Sequence, residues 1–335
     1  MSGAAASQPI LYPLRFAPIY QYRLWGGRRL AGLLTAPLPG DGPIGEAWVL
    51  SDRDDHPSHV ASGPLKGRTI AQLLEQFPEQ LLGKLAGRFR RFPLLLKFLD
   101  AREMLSVQVH PGDSHTDLLP RGETGKTEAW VVLEAGTQSR IYAGLKPGTT
   151  EADLRQALAD GRVADHLASF TPKPGDGVFL PAGTVHTLGG GVVVFEVQQN
   201  SDVTFRLYDW NHVDAKTGNP RALQVDQALA CIDFGECAGG LVAPVVEATG
   251  PVERELLFHC EQFCLSRLHG DLPFGVGAPS VPTVLVCIEG MGQVEHGGAT
   301  YAVTKGDVLL LPAGLRACTF RPQGAVKVLE VGIPG

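Results

Sequence analysis

Short apolar runs, most of them alternating with polar residues and separated by glycine and proline, set the rhythm of this chain. Phe92–Leu99, Leu105–His110, Glu128–Ala135, Gly177–Ala182, Val192–Gln199, Val203–Trp210, Thr283–Gly290 and Asp307–Ala313 each read as a strand. Three segments instead show helical spacing: Gly67–Leu85, Thr149–Phe170, whose first turn carries a threonine cap and acidic residues, and Gln224–Phe234. Helices so few and so irregularly placed attach to a β core rather than cross between parallel strands. The expected fold is mainly β, an all-β sandwich or barrel with a few attached helices.

An internal repeat sharpens that expectation. "GDGVFLPAGTVHTL" from Gly175 and "GDVLLLPAGLRACTF" from Gly306 agree, identically or nearly so, at eight of their first ten positions, at an offset of 131 residues. Related spacing sets Glu134 opposite Glu289 and Glu128 opposite Thr283, while His186 falls opposite Ala317. Two copies of one β unit are implied, and the second has lost polar residues that the first keeps. The chemistry is therefore expected in an N-terminal domain, residues 1–235, with residues 240–335 as a degenerate copy serving a structural or lid-like role.

Length and composition fit this division. At 335 residues, 44% hydrophobic and 19% charged, the chain can bury two lobes of core. Net charge is −6 and the pI about 5.9, and the densest basic run, "RFRRF" at Arg88–Phe92, is short, so nucleic acid is not an expected partner. No run reaches the ~18 apolar residues of a membrane helix, and the N-terminal residues lack the pattern of a signal peptide; the expected location is the cytoplasm. Cys231, Cys237, Cys260, Cys264, Cys287 and Cys318 all lie in the C-terminal third and are expected as reduced thiols.

The stretch "SVQVHPGD" carries the first chemical signal. Alternation puts Gln108 and His110 on one face of a strand and Val107 and Val109 on the other. His110 alone is also what a satisfied histidine at a strand end looks like. Glu128 in a second strand and His186 after the "LPAG" turn of a third change the balance: two imidazoles, one carboxylate and one amide make a four-point site for a divalent cation that stays a useful Lewis acid. Lys126, two residues before Glu128, is turned inward by the same alternation. Its pKa is expected to fall beside a cation, towards an acid–base role, unless it sits solvated at the strand mouth. In "EVQQNSDVTFRLYDW", a run that also holds Glu196 and Gln198, Asp202, Thr204 and Arg206 alternate onto one face. Asp202 and Arg206 supply either a proton carrier and an anion-binding cation or a cross-face ion pair.

These same stretches carry a family resemblance. "PLLLKFLDAREMLSVQVHPGD", "GKTEAWVVLEA", "GVFLPAGTVHTLGGGVVVFEVQQNSDVTFRLYDW", "YRLWGGRRL" and "PIGEAWVLSD" resemble the type I mannose-6-phosphate isomerases, in particular the short bacterial form, from about Pro18 to Asp233. The resemblance implies two cupin-type β-barrel or jelly-roll lobes, one zinc ion per chain, and interconversion of mannose 6-phosphate and fructose 6-phosphate through a cis-enediol. It places Gln108, His110, Glu128 and His186 on zinc and Lys126, Asp202 and Arg206 in catalysis, without deciding which residue moves the proton between C1 and C2. Lys97 and Ser106 match positions near the sugar phosphate, and Trp25, Glu46 and Trp48 match N-terminal motif residues; core, rim and substrate-contact readings of these five stay open. Long-form members carry a histidine just before the lysine, where this chain has Gly125. Two other readings remain: a cupin binding Fe(II) for oxygen chemistry, which leaves Gln108, Lys126 and the Asp202 and Arg206 pair unexplained, and a sugar-binding cupin without turnover. The expected partner is a small phosphosugar, the protein itself being monomer or homodimer.

Overall fold

The alternating runs become antiparallel strands in two stacked pairs of sheets. The computed structural model describes residues 11–214, 217–235 and 239–335. In the first lobe a seven-stranded sheet runs, in spatial order, Ile19–Gly27, Ile44–Leu50, Leu94–Ala101, Val192–Gln199, Glu128–Ala135, Gly177–Leu180 and Gly240–Val242. A five-stranded sheet, Phe205–Tyr208, Val107–Val109, His186–Leu188, Ile141–Leu145 and Leu167–Phe170, faces it. Because side chains alternate along a strand, each central strand serves two cores. Trp130, Val132, Val192 and Val194 pack inward against Ile141, Ala143 and Leu188 of the smaller sheet. Ala129, Val131, Val193, Phe195 and Val197 point the other way, into a core shared with the second lobe.

That second lobe repeats the design. Its six-stranded sheet follows the order Val245–Ala248, Val252–His259, Cys264–Gly270, Val326–Gly332, Thr283–Glu289, Val308–Leu311, and its four-stranded partner Phe274–Val276, Cys318–Pro322, Met291–His296, Ala299–Thr304. Register makes the equivalence exact enough to test residue by residue. Glu128 pairs with Leu180 and Val131 with Gly177 in the first lobe; Thr283 pairs with Leu311 and Val286 with Val308 in the second. The offset read from the two "LPAG" stretches is thus the offset between Gly177–Leu180 and Val308–Leu311, and the strands they pair with set Glu128 opposite Thr283. Leu257, Leu265, Val284, Val286, Leu310 and Val331 complete the shared core, and Leu14 of the N-terminal segment exchanges two backbone hydrogen bonds of 2.8 Å with Leu310.

The helical segments depart from the pattern at identifiable residues. The helix expected over Gly67–Leu85 is two, Ile70–Gln76 and Pro78–Leu82, followed by a short turn. Pro78 has no N–H to continue the first helix and keeps Phe77 out of helical geometry, at φ −135° and ψ 46°. Thr150 and Asp153 form a reciprocal cap on Glu151–Asp160, which stops at Gly161 in the left-handed conformation, φ 69°. Beyond that glycine the expected helix gives way to a turn and the strand Leu167–Phe170. The third segment forms Val225–Cys231. Cys231, Cys260, Cys264, Cys287 and Cys318 are free thiols, and Cys237 lies outside the described residues. No described helix is long and apolar enough to cross a membrane.

Candidate active site

One end of the inner face of the first large sheet is polar. Across four neighbouring strands Trp48, Lys97, Glu196 and Trp130 stand in one row, and Gln198, Glu128 and Leu180 in the next. The matching rows of the second lobe read Leu256, Ser266, Glu330, Leu285 and Gly332, Thr283, Leu311. There Glu330 is taken by Arg254 at 2.6 Å, so the second lobe keeps the scaffold without the donor set.

From the smaller sheet, Gln108 pairs across strands with His186, while Val107 and Val109 are buried on the opposite face as alternation demands. His110 lies one residue beyond its strand. The ligand atoms of His110, Glu128 and His186 all lie within 4.8 Å of one another, and all three side chains are buried. His186 Nε2 is 3.2 Å from Glu128 Oε1 and His110 Nε2 is 3.4 Å from Oε2. His186 Nε2 is also 3.2 Å from the Gln108 amide, whose oxygen a half-turn of the amide brings to the same side.

The tautomers decide what this cluster can hold. His110 Nδ1 is 2.9 Å from the Val203 carbonyl and His186 Nδ1 is 2.8 Å from the Thr184 carbonyl. A carbonyl only accepts, so both Nδ1 atoms carry the proton and both Nε2 atoms turn lone pairs towards a carboxylate that also only accepts. Neither Glu128 oxygen has a hydrogen bond of good geometry. Charging an imidazole is no remedy, since burial and the neighbouring Lys126 push His110 down to about 3. Two imidazole lone pairs turned on one carboxylate, with an amide oxygen in reach, are a donor set that suits a divalent metal ion.

Lys126 stands beside the cluster, its Nζ 2.9 Å from Glu128 Oε2 and 3.0 Å from His110 Nε2. Burial disfavours its charge, but the Glu128, Glu196 and Asp202 carboxylates outweigh that and raise its pKa. The fall expected from the sequence is that of a lysine beside a bound cation; among the protein's own side chains the shift runs upward, because three acids converge on one ammonium. The solvated strand-mouth alternative fails too, since Lys126 is buried. For Glu128, burial works upward while Lys126 and His110 hold the carboxyl well below its usual range. At Gly125 a Cβ would stand 2.5 Å from the Asp113 backbone nitrogen, so the long-form histidine has no room here.

A cavity of about 410 Å³ opens from Gln108 and Lys126 and is lined by Trp25, Glu46, Lys97, Ser106, Asp202 and Arg206, while Trp48 is buried behind it. Lys97 is buried in its wall, 3.4 Å from Glu196, 4.0 Å from Glu46 and 4.9 Å from the centre of the Trp48 ring. Trp25 is also a buried wall residue. Arg206 donates from Nε to Ser106 Oγ at 3.2 Å and from Nη1 to the Ala222 carbonyl at 2.9 Å. Asp202, 45% exposed, is 4.0 Å from Lys97. It precedes the strand Phe205–Tyr208, so it reaches the cavity from a loop rather than by alternation with Arg206, and the two form no ion pair among the described residues.

Two arginines of this cavity were not legible in the sequence. Arg23 grips Glu46 through bonds of 2.8 and 3.1 Å, and Trp48 Nε1 adds a third of 2.7 Å. Burial works upward on Glu46, yet Arg23 and Lys97 lower its pKa to about 2. Arg221 is held by both oxygens of the buried Asp209. Arg23 sits at an alternating position in a strand that the apolar pattern did not mark. Arg221 sits in a loop rich in glycine, asparagine and proline, where no period singles it out.

Comparison with known proteins agrees with this geometry. Residues 14–128 match the model of the phosphomannose isomerase type I catalytic domain. The chain is 35% identical over 314 residues to the mannose-6-phosphate isomerase ManA of Bacillus subtilis (strain 168), covering 90% of this chain and 94% of that protein. With the mannose-6-phosphate isomerase of Streptococcus mutans it shares 34% identity over 301 residues, 89% of this chain and 92% of the other. Its fold superposes on the crystal structure of the mannose 6-phosphate isomerase from Bacillus subtilis with a TM-score of 0.87 at 30% identity, over 96% of this chain and 99% of that one. Nothing in these relatives supports the oxygenase or the non-catalytic reading. Likeness along nearly its whole length, in sequence and in fold, shows that this chain belongs to the type I phosphomannose isomerase family.

Proposed function

We propose that the protein interconverts mannose 6-phosphate and fructose 6-phosphate through a cis-enediol, with one zinc ion per chain held by Gln108, His110, Glu128 and His186. The observation that carries this reading is the buried meeting of two imidazole lone pairs with the Glu128 carboxylate. When bound, the zinc supplies a Lewis acid for the sugar's carbonyl and hydroxyl oxygens and lowers the cost of the charge that develops there. Lys126 adds a fixed ammonium to the same oxygens, which is worth most in a site screened from water. Moving a proton between adjacent carbons needs a basic group that takes it from one and returns it to the other, a task assigned to the Asp202 carboxylate, while the Lys126 ammonium is assigned the proton exchanged at the neighbouring oxygens. Residues 1–235 are assigned the catalytic role and residues 240–335 a structural one.

The phosphate is assigned to the Ser106 and Arg206 end of the cavity, with Arg221 beside it and Lys97, Glu46 and Trp25 along the sugar. A guanidinium held rigidly by Asp209 meets phosphate oxygens with little entropy to lose. Arg221→Lys keeps the charge but loses the paired geometry, and is expected to raise KM for mannose 6-phosphate by about tenfold with kcat little changed, as a lost charge-assisted hydrogen bond of ~1.5–3 kcal/mol implies. An unchanged KM in steady-state kinetics would take Arg221 out of the phosphate site.

The whole reading is tested by a coupled assay of mannose 6-phosphate conversion, with elemental analysis, before and after chelation. Zinc near one per chain, loss of turnover on chelation and recovery on adding zinc are expected. Undiminished turnover in metal-free protein refutes the metal-dependent scheme, and iron in place of zinc refutes the choice of metal.

A further inference from the structure

The strand that carries Glu128 begins at that residue, so the sheet ladder fixes the carboxylate but not Lys126, two positions earlier. The ladder pairs Glu128 with Gln198 of the neighbouring strand. Beyond that pair, Gln199 N donates to the Thr127 carbonyl at 3.2 Å, while Thr127 N turns to the Gln199 side-chain oxygen at 2.9 Å. Lys126 N donates to the Pro111 carbonyl at 3.0 Å, and Gly125 N to Asp113 Oδ1 at 2.7 Å. Three consecutive backbone N–H groups around the lysine are therefore held from two places, the turn that follows His110 and one glutamine.

Gln199 Nε2 joins those two places by donating to Asp113 Oδ2 at 3.0 Å. A backbone N–H only donates and a carboxylate only accepts, so the Gln199 amide fits in one orientation alone. Packing acts with the hydrogen bonds, since Gly125 lies against Gly112 and Asp113 too closely for a Cβ. The turn is tied in its own right to the segment that leads to His186, because the His110 carbonyl accepts from Gly183 N at 2.8 Å.

We propose that Gln199 and Asp113 form a bridge that positions Lys126, so that its ammonium meets the substrate oxygens at a set distance from His110 and Glu128. The bridge depends on Lys126 taking part in the proposed isomerisation, and it accounts for how the lysine is placed. A lysine stem is long and flexible, and its Nζ stands 2.9 Å from Glu128 Oε2 and 3.0 Å from His110 Nε2 only while the backbone beneath it is fixed. Misplacing a reacting group by ~1 Å can cost ~10²-fold in rate. Gln199 and Asp113 do not line the cavity assigned to the sugar, so their loss is felt in kcat rather than in KM.

A charge-conserving swap tests this. Asp113→Asn sets one amide N–H against another, and Gln199→Glu sets one carboxylate against another. Combined, the two substitutions reverse the bridge: the new amide donates to the new carboxylate, and Gly125 N and Thr127 N each keep an oxygen. Each single variant is expected to lose ~10–100-fold in kcat for mannose 6-phosphate, with KM within about twofold of the parent and zinc still near one per chain. The double variant is expected to recover kcat to within about threefold of the parent, far above the product of the two single losses. Melting temperatures of the metal-free proteins should follow the same order, falling in the singles and rising again in the double. Should one single variant fail to fold, recovery is read from the double variant against the other.

Unchanged kcat in folded single variants overturns the bridge, as does a double variant no better than the product of the singles. Recovery of the melting temperature with kcat still low reduces the pair to a structural clip, and loss of zinc in step with kcat assigns it to the metal instead of the lysine. A parent that does not convert mannose 6-phosphate refutes the proposed reaction and the lysine's task with it, whereas kinetic failure of the swap in an active parent refutes the bridge alone.

Discussion

His186→Ala is expected to lose both bound zinc and turnover. His186 Nε2 faces Glu128 Oε1, and its Nδ1 is fixed by the Thr184 carbonyl, so alanine removes a donor whose direction the backbone had already set. Disturbing only the partners of a ligand costs ~10–100-fold in metal affinity, and deleting the ligand itself should exceed that. Without the Lewis acid, charge on the substrate oxygens is left to Lys126, and turnover should fall by at least ~10³-fold. Stoichiometric metal analysis and the coupled assay on the same preparation measure both. Since His186 also packs edge-on against Trp130, with ring centres 5.5 Å apart, thermal unfolding should accompany them, and His186→Gln, which refills part of the space, should behave alike. A folded, metal-free variant with full activity would remove zinc from the reaction.

Much of this site was legible before any coordinates, and the reason is periodicity. In "SVQVHPGD" the two valines had to share a face, which left Gln108 and His110 on the other; the repeat then matched Glu128 and His186 to second-lobe positions where Thr283 and Ala317 stand, and strand register bears that out for Glu128 and Thr283. Alternation misleads where the strand has not yet begun. Asp202 and Arg206 keep the right spacing, yet the strand starts at Phe205, so Asp202 reaches the cavity as a loop residue. Net electrostatics were illegible for a related reason. Lys126 alone, buried beside a cation, would lose charge; the acids that raise its pKa come from Glu128, Glu196 and Asp202, and only the folded sheet brings all three to it. Arg221 depends on Asp209 across a loop without period, and Pro78 divides a helical pattern that its apolar positions alone would continue.

Lys126→Met separates the roles of metal and ammonium. In the metal-free protein Lys126 is the cation nearest Glu128, and removing one partner of a buried ion pair costs ~3–5 kcal/mol. The apo variant should therefore unfold at a lower temperature than the apo parent. Zinc brings a larger charge to the same carboxylate, so adding it should recover most of that loss, and zinc affinity should not fall, since methionine no longer competes for Glu128. Turnover should still drop by ~10²–10⁴-fold, the usual contribution of a positioned acid or base, with KM little changed because the phosphate is assigned to the Ser106 and Arg206 end of the cavity. This pattern, metal kept and chemistry lost, is the opposite of the one expected at His186. Loss of zinc in the Lys126 variant would recast the lysine as a structural support of the metal site, and full turnover with zinc bound would take it out of the proton path.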